Sequence, residues 1–507
     1  MTMSDIRDLL LAPLLEMPRI AELLAPYGLA DFEKADANLQ ATAGAPAERL
    51  LLAKILPDLL ECVADSANPD QALTNFEGFS LASSNKAYLF TYLFNSKQAL
   101  EVLVKSLGGS TYMSEILIRD PHIFYWVTDP GILQKSWLKK AVDEDLTRAL
   151  TTLEEEGLQL NYLRSAKRKE MLRIGMRDLL RLASVEETLL ALSELAEALI
   201  SATYRICNEA LRRKYKLPLG VFGDFTILAM GKLGGGELNF SSDVDLMFLY
   251  DSHDEKTPEI SAQDYFRLLA QRISAELSAF TDEGYVYRVA LRLRPEGDAG
   301  NFADPLDAYE HYYRTRMGAW ERLALLKAWP VAGSQTLGKR FLKMSRAFIV
   351  EPAFDSKALA DVREMKARTD EKASVSRQTD RNLKLGTGGI REIELVVQLL
   401  QATYGVRIPQ LLDRNTLRSL ANLHDALLIN SEEFELLRNA YRFLCDVENK
   451  RQMVDDAQPS SIPREMEGLR TCARLLGYPD AASLLNAYQN HTSHVRRLFD
   501  KFAGRQY

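Results

Sequence analysis

The chain has 507 residues, with 63 Lys and Arg against 70 Asp and Glu, a formal net charge of −7. At roughly 100–200 residues per domain, this length allows about three domains with sizeable cores. Hydrophobic residues at 47% and charged residues at 26% exclude a disordered chain and a disulfide-stapled miniature, and the acidic balance argues against a general nucleic-acid coat while leaving room for one basic pocket.

The N-terminal apolar run Leu9–Leu15 is broken by Pro13, has Asp5 and Asp8 just ahead of it, and lacks a basic lead. It does not read as a signal peptide. No stretch approaches the roughly 18 consecutive apolar residues that span a bilayer. These features predict a cytoplasmic protein that does not enter a membrane. Cys62, Cys207, Cys445 and Cys472 lie far apart and form no CxxC pair, so they read as reduced thiols. His491 and His494 are close in sequence, but an i, i+3 pair reads as a solvated helix face, and no zinc site is expected.

Residues 145–215 carry long 3.6-period patterning through Leu158, Leu163, Met171, Ile174, Leu189, Leu192, Leu195 and Leu199. The middle changes character. Phe225–Met230 (FTILAM) and Val244–Tyr250 (VDLMFLY) predict strands, Ala262–Phe280 a helix, and Tyr285–Arg294 (YVYRVALRLR) a third strand from its period-2 alternation. Beyond it, 358–375, 390–405, 413–428, 431–454 and 481–503 return to helical periodicity, which predicts a C-terminal bundle. Chain cuts near 140 and 335 give a helical region over 1–140, an α/β unit with helical lead-in over 141–335, and the bundle over 336–507.

The segment GKLGGGELNFSSDVDLMFLY, Gly231–Tyr250, carries the chemistry. Gly231, Gly234, Gly235 and Gly236 follow a strand, where glycine lets backbone N–H groups approach a phosphate. Lys232 lies among them, and Ser241 and Ser242 add hydroxyl donors. Asp243 and Asp245 stand two apart, hence on one face of a strand. Two carboxylates beside a phosphate-cradling loop suit Mg²⁺, which takes its remaining ligands from substrate phosphates and water. No GK[ST] closes the loop, and no helix directly follows the glycines, so neither a Walker A loop nor a dinucleotide fingerprint is present. On the third predicted strand Val286, Arg288, Ala290, Arg292 and Arg294 share a face. Arg292 and Arg294 are candidates to neutralise phosphate charge, with Lys232 a weaker one. The GTGG at Gly386–Gly389 opens an amphipathic helix whose buried stripe is Ile393, Val396, Val397 and Leu400, with Arg391, Glu394 and Gln398 on another face.

This arrangement resembles the nucleotidyltransferase superfamily that includes DNA polymerase β and, much more closely, the glutamine synthetase adenylyltransferase family. The likeness runs through GKLGGGELNFSSDVDL, Tyr287–Pro295 (YRVALRLRP), Trp320–Lys327 (WERLALLK), Lys384–Gln398 (KLGTGGIREIELVVQ) and Val447–Gln458 (VENKRQMVDDAQ), with Lys169–Leu182 upstream, across roughly residues 90 to 500. The resemblance implies an α+β, mostly helical fold: a polymerase β-like core flanked by helical regions, with a C-terminal helical bundle. It implies Mg²⁺ on Asp243 and Asp245. Phosphates would sit against Lys232, Gly234, Gly235, Gly236, Ser241 and Ser242, with Arg391 and Glu394 facing the site. Its partners would be glutamine synthetase, ATP or ADP, phosphate and a PII-type signal protein, with no nucleic acid.

Long members of the family carry two such units, one attaching AMP to a tyrosine of glutamine synthetase and one removing it by phosphorolysis. This sequence holds one, worded more like the removing unit, as a natural single-unit protein or as part of a longer chain. Where the family has an aspartate, the third metal-binding carboxylate, this chain has Ala290. That loss penalises attack by a neutral tyrosine hydroxyl more than attack by anionic phosphate, which favours AMP removal; it equally suits a unit that only binds and regulates. Asp298, in the loop that follows, is a candidate substitute ligand and also fits an ordinary acidic position of the family. An RNA- or antibiotic-directed nucleotidyltransferase rests on the shared superfamily core alone.

Overall fold

The computed structural model describes residues 3–218, 220–251, 257, 259–351, 356–375, 381–455 and 461–504. The chain divides into two compact units, each assembled from separated stretches: Met1–Ser136 with Met171–Ser184 and Asp446–Asn486, and Trp137–Glu170 with Val185–Cys445 and Ala487–Tyr507. No described helix is long and apolar enough to cross a membrane.

The first unit is helical. Pro69–Ala82 begins at Asn68, whose side chain accepts from the Gln71 N–H, with Pro69 at the first helical position. Lys97–Gly109 is capped by Ser96. These two helices pack together and against Pro46–Asp65 over Leu56, Leu59, Leu60, Phe76, Phe79, Leu103 and Leu107, all buried. Gly108 permits the approach, because a Cβ there would lie 2.8 Å from the Ser66 side chain and 2.9 Å from Ala72 Cβ. Late in the sequence, Lys450 is buried with Asp178, to which its ammonium donates, and stands 3.4 Å from Asp446. Burial opposes the Lys450 charge, yet the two carboxylates hold its pKa above the ordinary lysine value.

The second unit holds a five-stranded sheet in the order β3-β2-β1-β5: β1 Phe225–Met230, β2 Val244–Tyr250, β3 Val289–Ala290, β4 Ala303–Pro305 and β5 Trp329–Gly333. β1 pairs antiparallel with β2, in register Met230 to Asp245, and with β5 on its other side. β3 and β4 both run parallel to β2, at Val244–Asp245 and Phe248–Tyr250 respectively. β1 is buried at every position, as a central strand covered on both faces should be. The long helix Val185–Tyr215 packs on Ala262–Ser278 and on β5, and Gln335–Val350 lies on β1 and β5. The mostly helical α+β architecture implied by the sequence is therefore present, and the first two strands have the predicted limits.

The third strand is a correction. Of Tyr285–Arg294, Val289 and Ala290 alone pair as a strand. The N–H groups of Val286 and Tyr287 both donate to the Leu277 carbonyl, at 3.1 and 2.8 Å, so the chain first caps the end of the Ala262–Ser278 helix. Both side chains are buried despite their adjacency, and a turn begins just after Ala290. The alternation in sequence reflects helix capping, two strand residues and a turn in succession. The predicted glycine-rich loop also differs, because Gly231–Gly235 form one helical turn.

Replacing Lys450 with Met would leave Asp178 buried without its partner. Loss of one member of a buried pair costs about 3–5 kcal/mol, so the unfolding free energy of Lys450→Met measured by urea titration should fall by that amount.

Candidate active site

The site is built where β1 ends and β2 begins. Met230 closes β1, and Gly231 turns away with φ +56°. A Cβ at Gly231 would stand 2.7 Å from Asp245 Oδ2, so glycine is needed both for the turn and for the carboxylate beside it. Asp245 pairs in register with Met230 on one side and Ala290 on the other. Burial raises the pKa of its carboxyl; Lys384, Arg292 and Arg391 pull it back down, while Asp243 adds to the rise. Three cations from two separate stretches of chain therefore act electrostatically on one half-buried carboxylate. Asp243, just ahead of β2, accepts from Arg288 Nε at 2.7 Å. The same guanidinium donates through Nη2 to the Ser241 carbonyl at 2.7 Å and to Ser241 Oγ at 3.3 Å.

Beneath the glycine turn lies a buried charge cluster. Lys327 Nζ donates to Glu237 Oε2 at 2.6 Å, Glu394 Oε1 at 2.7 Å and Thr416 Oγ1 at 3.3 Å. Glu237 also accepts from the Thr416 N–H. Burial works against the Lys327 ammonium, but Glu237 and Glu394 override it and hold its pKa above the lysine range. Burial alone would raise the Glu394 carboxyl; Lys327 and Arg391 reverse this and hold it at about 2. Gly234 fits over the cluster because a Cβ would lie 1.9 Å from the Lys327 carbonyl. The Gly234 and Gly235 carbonyls accept from Arg414 Nη1 at 2.5 Å and Asn415 Nδ2 at 3.3 Å.

The predicted residues thus separate into groups. Asp243, Asp245, Arg292 and Arg391 converge electrostatically on one place. Ser241 and Ser242 border it, with Ser242 Oγ accepting from the Asn239 N–H at 3.1 Å. Lys232 donates to Asn239 Oδ1 at 2.5 Å. Gly234, Gly235 and Gly236 are buried against protein rather than presented as an open phosphate cradle. Glu394 points inward to Lys327, with Arg391 Nη1 3.5 Å from its other oxygen. Arg294 is buried in the turn after β3, where Nε donates to the Gly297 carbonyl at 2.9 Å and its guanidinium covers the Phe302 ring. The Asp298 side chain lies outside the described residues.

Sequence reasoning missed Arg288, Lys384, Lys327 and Glu237 as organising groups. Lys327 carried a usable signal: one lysine closing the apolar run LALLK implies a buried partner. Among the described residues, no cluster of three or more His, Cys, Asp or Glu is placed to hold a metal. Asp243 and Asp245 form a pair, and Ala290 stands in register with Asp245.

The chain is similar to known proteins. Residues 100–344 match the family model described as glutamate-ammonia ligase adenylyltransferase, and residues 357–503 match that of GlnD PII-uridylyltransferase. A protein of Thioalkalivibrio sulfidiphilus named bifunctional glutamine synthetase adenylyltransferase/adenylyl-removing enzyme is 34% identical over 406 residues, which is 79% of this chain and 42% of that protein. One of the same name from Nitrosococcus oceani is 34% identical over 417 residues, 81% of this chain and 43% of its own. This chain spans less than half the length of these relatives.

Because the folded pKa of Glu394 is depressed, its stabilising effect is full above the unfolded value near 4.5 and is lost as pH falls toward about 2. Glu394→Gln should be less stable at neutral pH. Its urea midpoint should also fall less steeply than that of the wild type across this acid range.

Proposed function

The chain belongs to the glutamate-ammonia ligase adenylyltransferase family, and from that premise we propose that it acts in the cytoplasm on glutamine synthetase, removing AMP from a modified tyrosine by phosphorolysis. The observation that carries the direction is the charge arrangement at Asp245. Arg292, Lys384 and Arg391 face it, while the third carboxylate that would help activate a neutral hydroxyl is replaced by Ala290. Inorganic phosphate is already an anionic nucleophile, so a basic site without that carboxylate suits it.

A phosphate oxygen attacks the α-phosphorus of the AMP–tyrosine ester in line with the tyrosyl oxygen. The new P–O bond yields ADP, the bond to tyrosine breaks, and the proton carried by hydrogen phosphate ends on the tyrosine hydroxyl. Arg292, Lys384 and Arg391 neutralise the charge of the two approaching phosphoryl groups, which otherwise repel one another. Arg288 holds Asp243 and the Ser241 carbonyl in fixed relation, so the carboxylate pair keeps its orientation. Asp243 and Asp245 fit a single Mg²⁺ completed by substrate oxygens and water, which, when bound, would polarise the phosphoryl oxygen. The match of residues 357–503 to the PII-uridylyltransferase model supports assigning that stretch to communication with a PII-type signal protein.

The second reading is a regulatory member with impaired catalysis. It draws on Ala290 and on Arg288 occupying Asp243. The two readings part in one assay. Adenylylated glutamine synthetase, phosphate and Mg²⁺ should yield ADP with this protein, and Asp245→Asn should lower the rate at least about a hundredfold, the scale of losing a principal electrostatic group. Absence of both ADP formation and AMP transfer from ATP overturns the enzymatic reading. Ala290→Asp should raise AMP transfer from ATP, measured as labelled AMP on glutamine synthetase.

A further inference from the structure

A cavity of about 490 Å³ opens in the second unit at the start of β1, the end remote from Asp245. The five residue steps from Phe225 to Met230 separate it from the carboxylates by about 17 Å. One wall is the helix Val185–Tyr215, where Arg205, Asn208 and Arg212 recur at helical spacing on one face. The other wall is aromatic. Tyr204, partly exposed, stacks on buried Phe225 with ring centroids 5.8 Å apart and planes 12° from parallel. Ser334, which caps the 16-residue helix Gln335–Val350, closes a third side, its hydroxyl donating to Asp224.

The same Tyr204, Arg205, Asn208 and Arg212 also line an adjoining cavity of about 730 Å³. Arg212 therefore stands between two open volumes. Its Nη1 donates to Glu209 at 3.3 Å, but its buried Nε–H has no hydrogen-bond partner among the described residues. That nitrogen has essentially no accessible surface, so a ligand in the cavity would meet the rest of the Arg212 side chain, which is partly exposed, rather than Nε. Arg205 is exposed and reaches Thr147 through one nitrogen, at 3.2 Å.

We propose that this cavity is a second ligand site, separate from the catalytic centre, for a small organic anion. Its planar apolar body lies against Tyr204 and Phe225, and its carboxylate or phosphate group accepts from Arg212 and Arg205. The volume falls within the range of small-molecule sites, and an apolar lining with a few convergent polar groups is their usual composition. Arg205 and Arg212 line the space against one carboxylate, Asp224, which is already engaged by the Ser334 hydroxyl, and this balance favours an oxyanion over a cation.

Two probes separate the possible head groups, 4-bromobenzoate for a carboxylate and 4-bromophenyl phosphate for a phosphate. Each is titrated calorimetrically into the full chain, and crystals soaked with each are searched for bromine by anomalous scattering. At least one probe should bind saturably, with its bromine beside Tyr204. Arg212→Met should weaken that binding by about tenfold or more, the scale of a charge-assisted hydrogen bond. Arg205→Ala, at an exposed position, should weaken it several-fold. Asp245→Asn should leave it unchanged. Binding of one probe alone identifies the head group, and binding of both supports an unselective oxyanion site. The proposal is overturned if neither probe saturates, if both arginine variants bind as the wild type does, or if the bromine appears at Asp245 and binding disappears in Asp245→Asn.

Discussion

The candidate site depends on Lys327 being buried between Glu237 and Glu394. Each residue comes from a different stretch: the glycine turn, the end of the WERLALLK segment, and the helix Ile390–Tyr404. None of these charges could remain inside the protein alone, because an isolated buried ion is expelled or neutralised. Together with Thr416 they compensate one another, and each fixes the segment that carries it. The consequence reaches the Asp245 carboxylate by contact. The Lys327 carbonyl sets how closely Gly234 must pack; the turn so held starts at Gly231; and Gly231 lies against Asp245 Oδ2. The same cluster anchors Glu394, three residues from Arg391, which faces Asp245. One buried ion group therefore positions both the acidic and the basic sides of the site.

A second buried carboxylate acts two residues earlier on that helix, on a different face. Glu392 is fully buried and accepts from Lys366 and Arg496, each at 3.1 Å, and from the Gly388 N–H at 3.0 Å. Gly388 has φ +74°, and a Cβ there would meet the Thr492 carbonyl at 2.0 Å. The GTGG sequence is thus a tight entry to the helix, held by its own acidic residue, and Lys384 is delivered toward Asp245 just before it. Read from sequence alone, such a segment is equally an anion-binding helix start and a cap. Here it does the capping through Glu392 and contributes to the site through the basic residues on either side.

What was legible in the sequence follows from how local each signal was. β1 and β2 were readable because continuous apolar runs bounded by glycine or aspartate have few alternatives. Asp243 and Asp245 were readable because a two-residue spacing on a strand fixes a shared face. The third strand was misread because alternation cannot distinguish a strand from a cap followed by a turn. Val286 and Tyr287 are both buried, which no strand facing solvent on one side would do. Arg292 and Arg294 were treated alike, yet the turn sends Arg292 outward near Asp245 and folds Arg294 onto Gly297 and Phe302. The partners of Lys327 were beyond local reading, since they lie 90 and 67 residues away. So was the assembly of each compact unit from three separated stretches of chain.

The net charge of −7 gives no hint of the site's character, because the relevant charge is local. Burial raises the Asp245 carboxyl pKa and Arg292, Lys384 and Arg391 only partly offset it; under the proposed function these cations would complement the phosphoryl groups of the substrate. In the low dielectric of a partly buried site, that complementarity acts more strongly than the same charges would on an open surface. Ala290 sharpens it. An aspartate at that register position would add a negative charge directly beside Asp245, raising its pKa further and cancelling part of the basic ring. Alanine there adds no such charge beside Asp245. Under the proposed function, alanine at this position in place of a carboxylate would favour an anionic nucleophile such as phosphate over a neutral hydroxyl.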